Sequence, residues 1–315
     1  MSNVVVTAST AVVLAVDAGQ TGTKLRLTRP GADSVEVTYP GVRTNEPLMP
    51  QVAAAARALR EQTQTDFGVI SVGASGLVDA ASDAQELLRL TADLDVRQIL
   101  LAHDSITSFL GSLGDVQGAV VAAGTGVVTL AVGRTRVARI DGWGNIMGDA
   151  GSAYWIGREA LDAVMRAHDG RASPTALTGV VRERWPDIES AYIDLQSDPD
   201  RVRVVASFAQ AVTELAATDA AAAQISRRAA RELSLSVLTG LSRVLDAGTV
   251  GVVIGMVGGV FRSPLIRDRF EELVAEGRPD ATLLMPEGTG LDGAATLATL
   301  PDTHPLKNLV SAASR

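Results

Sequence analysis

Apolar residues along this chain come in short unbroken runs that end in acids or glycines. AVVLAVD (11–17) is one such run; AGQTGTK follows, and then the alternating LRLTR. The pattern predicts a β-hairpin closed by a Gly/Thr turn. GAVVAAGTGVVTLAVG (118–133) repeats the design, with two apolar runs split by GTG. VISVG (69–73), QILLAHD (98–104), VGVVIGMVGGVF (250–261) and ATLLMP (281–286) read as buried strands. Helical spacing marks 48–63, and the chain from about 151 to 247 is mostly helical. GSAYWIGREALDAVMRAHDG stops at Gly170, SRRAARELSLSVLTGLSRVLDAG stops at Gly248, and LDGAATLATL is the last clear helix. The tail after Pro301 is expected to be loosely held.

The strand–turn–strand opening near residue 20 and again near 125 is too widely spaced for a solenoid. It predicts two related α/β domains, 1–116 and 117–315, with the last helix, about 291–300, packing back on the first. A length of 315 residues suits two domains. Hydrophobic residues at 46% and charged residues at 20% exclude a disordered chain, and only 3% aromatics leave an aliphatic core. The absence of cysteine excludes disulfides, thiolate zinc, iron–sulfur clusters and a Cys nucleophile. His103, His168 and His304 are too far apart for an HExxH metal motif. A net charge of −8 gives no basic footprint for nucleic acid, and no apolar run or basic leader marks a membrane segment. A soluble, cytoplasmic protein is expected, with no nucleic-acid or membrane partner.

Five constellations could carry chemistry. Asp17-Ala-Gly19-Gln-Thr21-Gly22-Thr23-Lys24 offers small residues that let backbone N–H groups approach a phosphate, with an acid that can hold Mg²⁺ through water. Gly124-Thr125-Gly126 offers a second cradle of the same kind. Either alone is also an ordinary hairpin; the pair is much less common by chance. Gly258, Gly259 and Ser263 leave room at a strand end for a flat group such as adenine with its ribose, or make a tight strand-to-helix turn. Asp104 ends an apolar strand, where a carboxylate can accept a hydroxyl proton; taken singly, an N-cap for SITSFLGSLG is the commoner role. The loop Asp141-Gly142-Trp143-Gly144-Asn-Ile-Met-Gly148-Asp149 suits a polar ring, and Trp155 reads as core. GTGLDG (288–293) matches G-x-G-x-x-G but lacks the further apolar strand a dinucleotide fold needs, so it is set aside. His103 beside Asp104 is expected to point to the opposite face, as strand neighbours do.

In this order the motifs resemble the sugar-kinase/Hsp70/actin superfamily and, more narrowly, the N-acetylglucosamine kinase group of the BadF/BadG/BcrA/BcrD ATPase family. GWGNIMGDAGSAYWIGREAL is the most specific match, and the resemblance runs from about residue 12 to 300. It implies a two-domain actin-like ATPase (ribonuclease H-like) α/β fold with an interdomain cleft. It implies transfer of phosphate from Mg²⁺-ATP to an N-acetylated amino sugar, first of all N-acetylglucosamine at its 6-hydroxyl, by a homodimer. By the same resemblance Asp17, Gly19, Thr21, Gly22 and Thr23 form one phosphate hairpin, with Asp17 the metal carboxylate. Gly124, Thr125 and Gly126 form the second, Gly258, Gly259 and Ser263 take adenosine, and Asp104 is the catalytic base. Asn45, Gly142, Trp143, Gly144 and Asp149 take the sugar. The chain departs from the family pattern at Gln20, at Val127 and Val128 where polar residues usually follow GTG, and at Ala150 in GDAGS. Another amino sugar (glucosamine or N-acetylmuramic acid) and a non-catalytic ATP- or sugar-binding sensor are the alternatives. The cysteine-ligated activators of the family and the zinc-containing ROK kinases are disfavoured by the absence of cysteine.

Overall fold

Asp17 closes the first apolar run as strand β1 (Val13–Ala18), and the chain returns as β2 (Thr23–Thr28) and β3 (Val35–Tyr39), all antiparallel. The structure is a computed structural model, and it describes residues 11–19, 22–43, 46–74, 77 and 80–315, the last range without the side chains of 80–82. After helix α1 (Leu48–Thr63) come β4 (Val69–Ala74), α2 (Ala80–Leu90), β5 (Gln98–His103) and α3 (Asp104–Leu113). β4 pairs parallel to β1, and β5 parallel to β4.

The second half repeats this plan. β6 (Gly118–Ala123), β7 (Val127–Val132) and β8 (Val137–Asp141) are antiparallel, and β9 (Val253–Val257) and β10 (Thr282–Leu284) add in parallel beyond β6. Between β8 and β9 lie α4 (Gly144–Met147), α5 (Ala153–His168), α6 (Leu177–Arg184), α7 (Ala191–Ser197), α8 (Arg201–Leu215) and α9 (Ala220–Val244). Helix α10 (Pro264–Gly277) joins β9 to β10. The sheet orders β5-β4-β1-β2-β3 and β10-β9-β6-β7-β8 are therefore the same topology used twice. The parallel strands are buried on both faces, which is why their sequences are continuous apolar runs. Each sheet has its own aliphatic core, one around Leu14, Ile70 and Leu101, the other around Val121, Leu233 and Ile254.

The chain divides into two compact units, 1–116 with 286–315, and 117–285. The second unit is thus shorter than the 117–315 expected, because not one helix but the whole C-terminal segment joins the first unit. Helix α11 (Gly290–Thr296) packs on α3 and β1. The last residues form β11 (Ser311–Ser314), antiparallel to β5, so the tail expected to be loose is an edge strand. Arg315 fastens it further, with its guanidinium donating to Leu88 O at 2.8 Å.

GTGLDG is not a nucleotide motif here. A Cβ at Gly293 would collide with the Thr107 carbonyl, one at Gly111 with the Thr289 carbonyl, and one at Gly288 with the Gly111 carbonyl. The glycines let α11 cross α3 backbone to backbone.

His304 anchors the segment ahead of β11. Its side chain is 3% exposed, its Nδ1 accepts from Leu306 N at 3.1 Å, and its Nε2 lies 3.3 Å from Asp115 Oδ1. Burial lowers its pKa, with Asp115 opposing. The unfolded chain therefore takes up this proton first as pH falls, so the stability it contributes is complete above about pH 6.5 and is lost below that. Thermal melts from pH 7.5 to 5.5 should fall more steeply for wild type than for His304→Asn, which has no proton to gain. Equal slopes would remove His304 from the pH dependence.

Candidate functional site

In the first unit the site residues gather where β1 ends and α3 begins. Asp17 is half-buried near the end of β1, paired in register with Lys24 on β2 and Gly73 on β4. Burial raises its pKa and the Asp104 charge adds to this, while Lys24 draws it down. Gly290 of α11 lies against the same carboxylate, where an added Cβ would sit 3.1 Å from both oxygens. The turn after β1 is closed by Gly19 N donating to Gly22 O at 3.2 Å, and Val42 N bonds Gly19 O at 3.0 Å. Thr23 is buried as the first residue of β2. Thr21 and Asn45 lie outside the described residues.

Asp104 is the first residue of α3, but the N-cap is His103, whose Nδ1 accepts from Ser105 N at 3.2 Å. The expectation that His103 and Asp104 point to opposite faces fails, because the chain leaves the strand between them and alternation stops there. His103 Nδ1 lies 2.8 Å from Asp104 Oδ1. That oxygen is buried and makes no hydrogen bond with any described residue. The Asp104 side chain as a whole is 38% exposed, so its other oxygen faces outward.

In the second unit the Gly124–Gly126 turn is closed by Gly124 N donating to Gly126 O at 2.9 Å. Its outward carbonyls cap α5, with Ala153 N on Gly124 O at 2.8 Å and Tyr154 N on Thr125 O at 3.1 Å. Thr125 is exposed at the tip. Gly258 has φ +103° and lies so close to the end of β6 that a Cβ would strike the Ala123 carbonyl. This brings the turn Gly259–Arg262 and Ser263 beside the hairpin. Ser263 precedes α10 at its N-cap; its Oγ is buried and makes no hydrogen bond with any described residue.

The loop between β8 and α5 is braced by two carboxylates, each at a residue with φ +60°. Asp141, a role the sequence reading did not assign, accepts from Asp149 N at 2.8 Å and Ala150 N at 3.2 Å. Asp149, 7% exposed, accepts from Gly144 N at 3.2 Å. Its pKa is raised by burial first and by Asp141 second, against hydrogen bonds from the Gly144 and Val127 backbone. A Cβ at Gly126 would meet Asp149 Oδ2 at 2.6 Å, so this carboxylate links the loop to the hairpin. Val127 is in the core, and Val128 packs its Cγ2 beside Gly142, where a Cβ would be 3.0 Å away. Trp143 is 62% exposed, with the Arg139 guanidinium 4.8 Å from its ring centroid, so it fills no core gap. Trp155 is half-buried against the core beneath Arg228.

Among the described residues no cluster of three or more His, Asp or Glu could hold a metal by itself. Asp17 offers one hard oxygen ligand, which fits Mg²⁺ only where phosphate oxygens and water complete the octahedron. Among the described residues no helix is long and apolar enough to cross a membrane.

Known proteins resemble this chain over most of its length. The model of the BadF/BadG/BcrA/BcrD ATPase family matches residues 9–298. An N-acetylmuramic acid/N-acetylglucosamine kinase of Clostridium acetobutylicum is 26% identical over 253 residues, which is 75% of this chain and 79% of that protein. An N-acetyl-D-glucosamine kinase of Dictyostelium discoideum is 28% identical over 256 residues, 76% of this chain and 77% of that one. Among solved structures, a provisionally named N-acetylglucosamine kinase from Chromobacterium violaceum superposes with a TM-score of 0.73 at 23% identity, covering 92% of this chain and 99% of that one. The fold is the two-domain α/β fold of the actin-like sugar kinases.

Proposed function

Since the chain belongs to the BadF/BadG/BcrA/BcrD ATPase family, we propose that it is an ATP-dependent kinase of an N-acetylated amino sugar, with N-acetylglucosamine phosphorylated at its 6-hydroxyl. The observation that carries the reading is Asp104. Its carboxylate begins a helix with one oxygen buried and the other turned outward, electrostatically coupled to the second acid, Asp17.

In this reading Asp104 accepts the sugar hydroxyl proton as the oxygen attacks the γ-phosphorus of ATP in line. The Gly19–Thr23 and Gly124–Gly126 turns supply backbone and hydroxyl donors to the phosphates. Mg²⁺ held through Asp17 would neutralise the charge that develops on the phosphate oxygens. Gly258 and Gly259 leave space for adenosine, and the unsatisfied Ser263 Oγ offers its ribose or base a hydrogen bond. Gly142, Trp143 and Gly144 present the sugar with backbone groups and a flat apolar wall. Asp149 holds that wall in place and contributes what its backbone bonds leave free. Asn45 completes the sugar contacts in this reading.

A second substrate, N-acetylmuramic acid, is favoured by one feature. Ile146 and Met147 are 91% and 84% exposed and, at helical spacing from Trp143, extend the apolar wall for a bulkier substituent. Coupled ADP release should be measured with N-acetylglucosamine, N-acetylmuramic acid, glucosamine, N-acetylmannosamine, glucose and no sugar. Turnover is expected with N-acetylglucosamine and, more weakly, N-acetylmuramic acid. Binding of sugar and ATP without turnover would instead identify a sensor.

A further inference from the structure

The loop between β8 and α5 leaves its three large apolar side chains, Trp143, Ile146 and Met147, mostly exposed. Hydrophobic burial therefore does little to hold its shape, and hydrogen bonds must fix its backbone. Asp141, the last residue of β8, supplies two of them. Its Oδ1 accepts from Asp149 N at 2.8 Å and its Oδ2 from Ala150 N at 3.2 Å, so each carboxylate oxygen holds one amide from the far end of the loop. Inside this clasp α4 makes a single turn, with Gly148 N returning to Gly144 O at 2.8 Å. Gly148 lies directly under the clasp: a Cβ there would strike Asp141 Oδ1 and lie 2.9 Å from Trp143 Cβ. Asp149 passes the constraint on by accepting from Gly144 N at 3.2 Å.

We infer that Asp141 is a positioning residue for the sugar: its carboxylate fixes the loop that carries Trp143 and Asp149 in its binding conformation, and so sets sugar affinity rather than the rate of phosphoryl transfer. The inference rests on the reading of this loop as the sugar loop. Asp141 touches no substrate in this scheme. Both of its oxygens are taken by backbone amides, and it acts through the residues those amides belong to. A loop held in shape before the ligand arrives loses less freedom on binding. Without the clasp the sugar itself must order the loop, and affinity falls by that cost.

The backbone of Asp141 supports this and makes the role separable from a structural one. Its φ is +60°, in the left-handed region that a residue with a Cβ occupies at a cost. Such a conformation persists where the surroundings over-determine it, and here the two amide bonds of the side chain do so. Glycine adopts the same φ freely but has no carboxylate. Asp141→Gly thus removes the strain and the clasp together, so folding stability and sugar binding respond differently. Asparagine tolerates the left-handed region and keeps one acceptor oxygen, but its amide nitrogen cannot accept from a second N–H.

The test is calorimetric binding of N-acetylglucosamine to wild type, Asp141→Gly and Asp141→Asn, with KM and kcat at saturating Mg²⁺-ATP and hydrogen exchange at the Asp149 and Ala150 amides. Wild type should bind the sugar and protect both amides. Asp141→Gly should lose that protection, raise Kd and KM by about tenfold, and keep kcat within about twofold, with its melting temperature near that of wild type. Asp141→Asn should lie between the two. A wild-type Kd in Asp141→Gly overturns the inference, as does a loss confined to kcat. So does full amide protection in Asp141→Gly, since the clasp is then not what holds the loop. Asp141→Asn keeps the question decidable if the glycine variant does not fold, because a wild-type Kd there also overturns the inference. Wild type that protects both amides but binds no amino sugar overturns the reading of the sugar loop itself, whereas a wild type that binds no better than Asp141→Gly overturns the positioning role alone.

Discussion

Asp104→Asn is expected to lower kcat by about 10²–10⁴-fold, the usual worth of a positioned general base, with melting temperature and ATP affinity retained. The substitution is nearly isosteric and leaves the local scaffold intact. The helix cap belongs to His103, and the Thr107 hydroxyl bonds the backbone carbonyl of Asp104 at 3.1 Å, not its side chain. No described group donates to the buried Oδ1, so exchanging an oxygen breaks no hydrogen bond there. Removing one charge beside Asp17 also relieves a repulsion, which argues against a loss of stability. The effect should therefore appear in kcat rather than in folding. Residual turnover would come from positioning and charge stabilisation of the phosphoryl group, which the variant keeps. A variant that is folded, binds ATP and turns over at the wild-type rate would take the base role away from this residue.

The parts of the fold legible in the sequence are those whose signal is local. Two apolar runs flanking a Gly/Thr turn can be little other than a buried hairpin, and both hairpins lie where that pattern places them. α1 follows from apolar spacing alone, and α5 from spacing plus the Ser152 cap, whose Oγ accepts from Trp155 N at 3.2 Å. What could not be read depends on distant partners. SAAS (311–314) has no strand character of its own; it becomes β11 because β5 offers an open edge. The contact between His103 and Asp104 was hidden because the alternation rule assumes that both residues belong to one strand. Within the candidate site, residue types were legible and their tasks were not. Asp141 and Asp149 both sit at positive φ, and this geometry turns two ordinary loop acids into acceptors for backbone amides of their own loop.

The glycines of GTGLDG give the sharpest stability prediction, because two effects of known sign oppose each other there. In an exposed helix, Gly→Ala stabilises by about 1 kcal/mol through the unfolded chain's entropy. At Gly293, inside α11, the added methyl would overlap the Thr107 carbonyl, and Gly111 N would lie 2.8 Å from it. Both obstacles are backbone, so no side chain can rotate away. The helices must separate, and buried Leu291 and Ala294 lose their packing on Ala15. Gly293→Ala is therefore expected to destabilise by about 3 kcal/mol, at the upper end of overpacking costs. Activity should fall with it, because the displaced helix carries Gly290 away from the Asp17 carboxylate and strains the 2.8 Å bond from Arg26 to Asp292. Urea denaturation gives the sign directly. A midpoint lower than wild type follows from a backbone-to-backbone crossing, whereas a midpoint at or above wild type would mean that helix propensity outweighs contact and that α3 and α11 do not approach this closely.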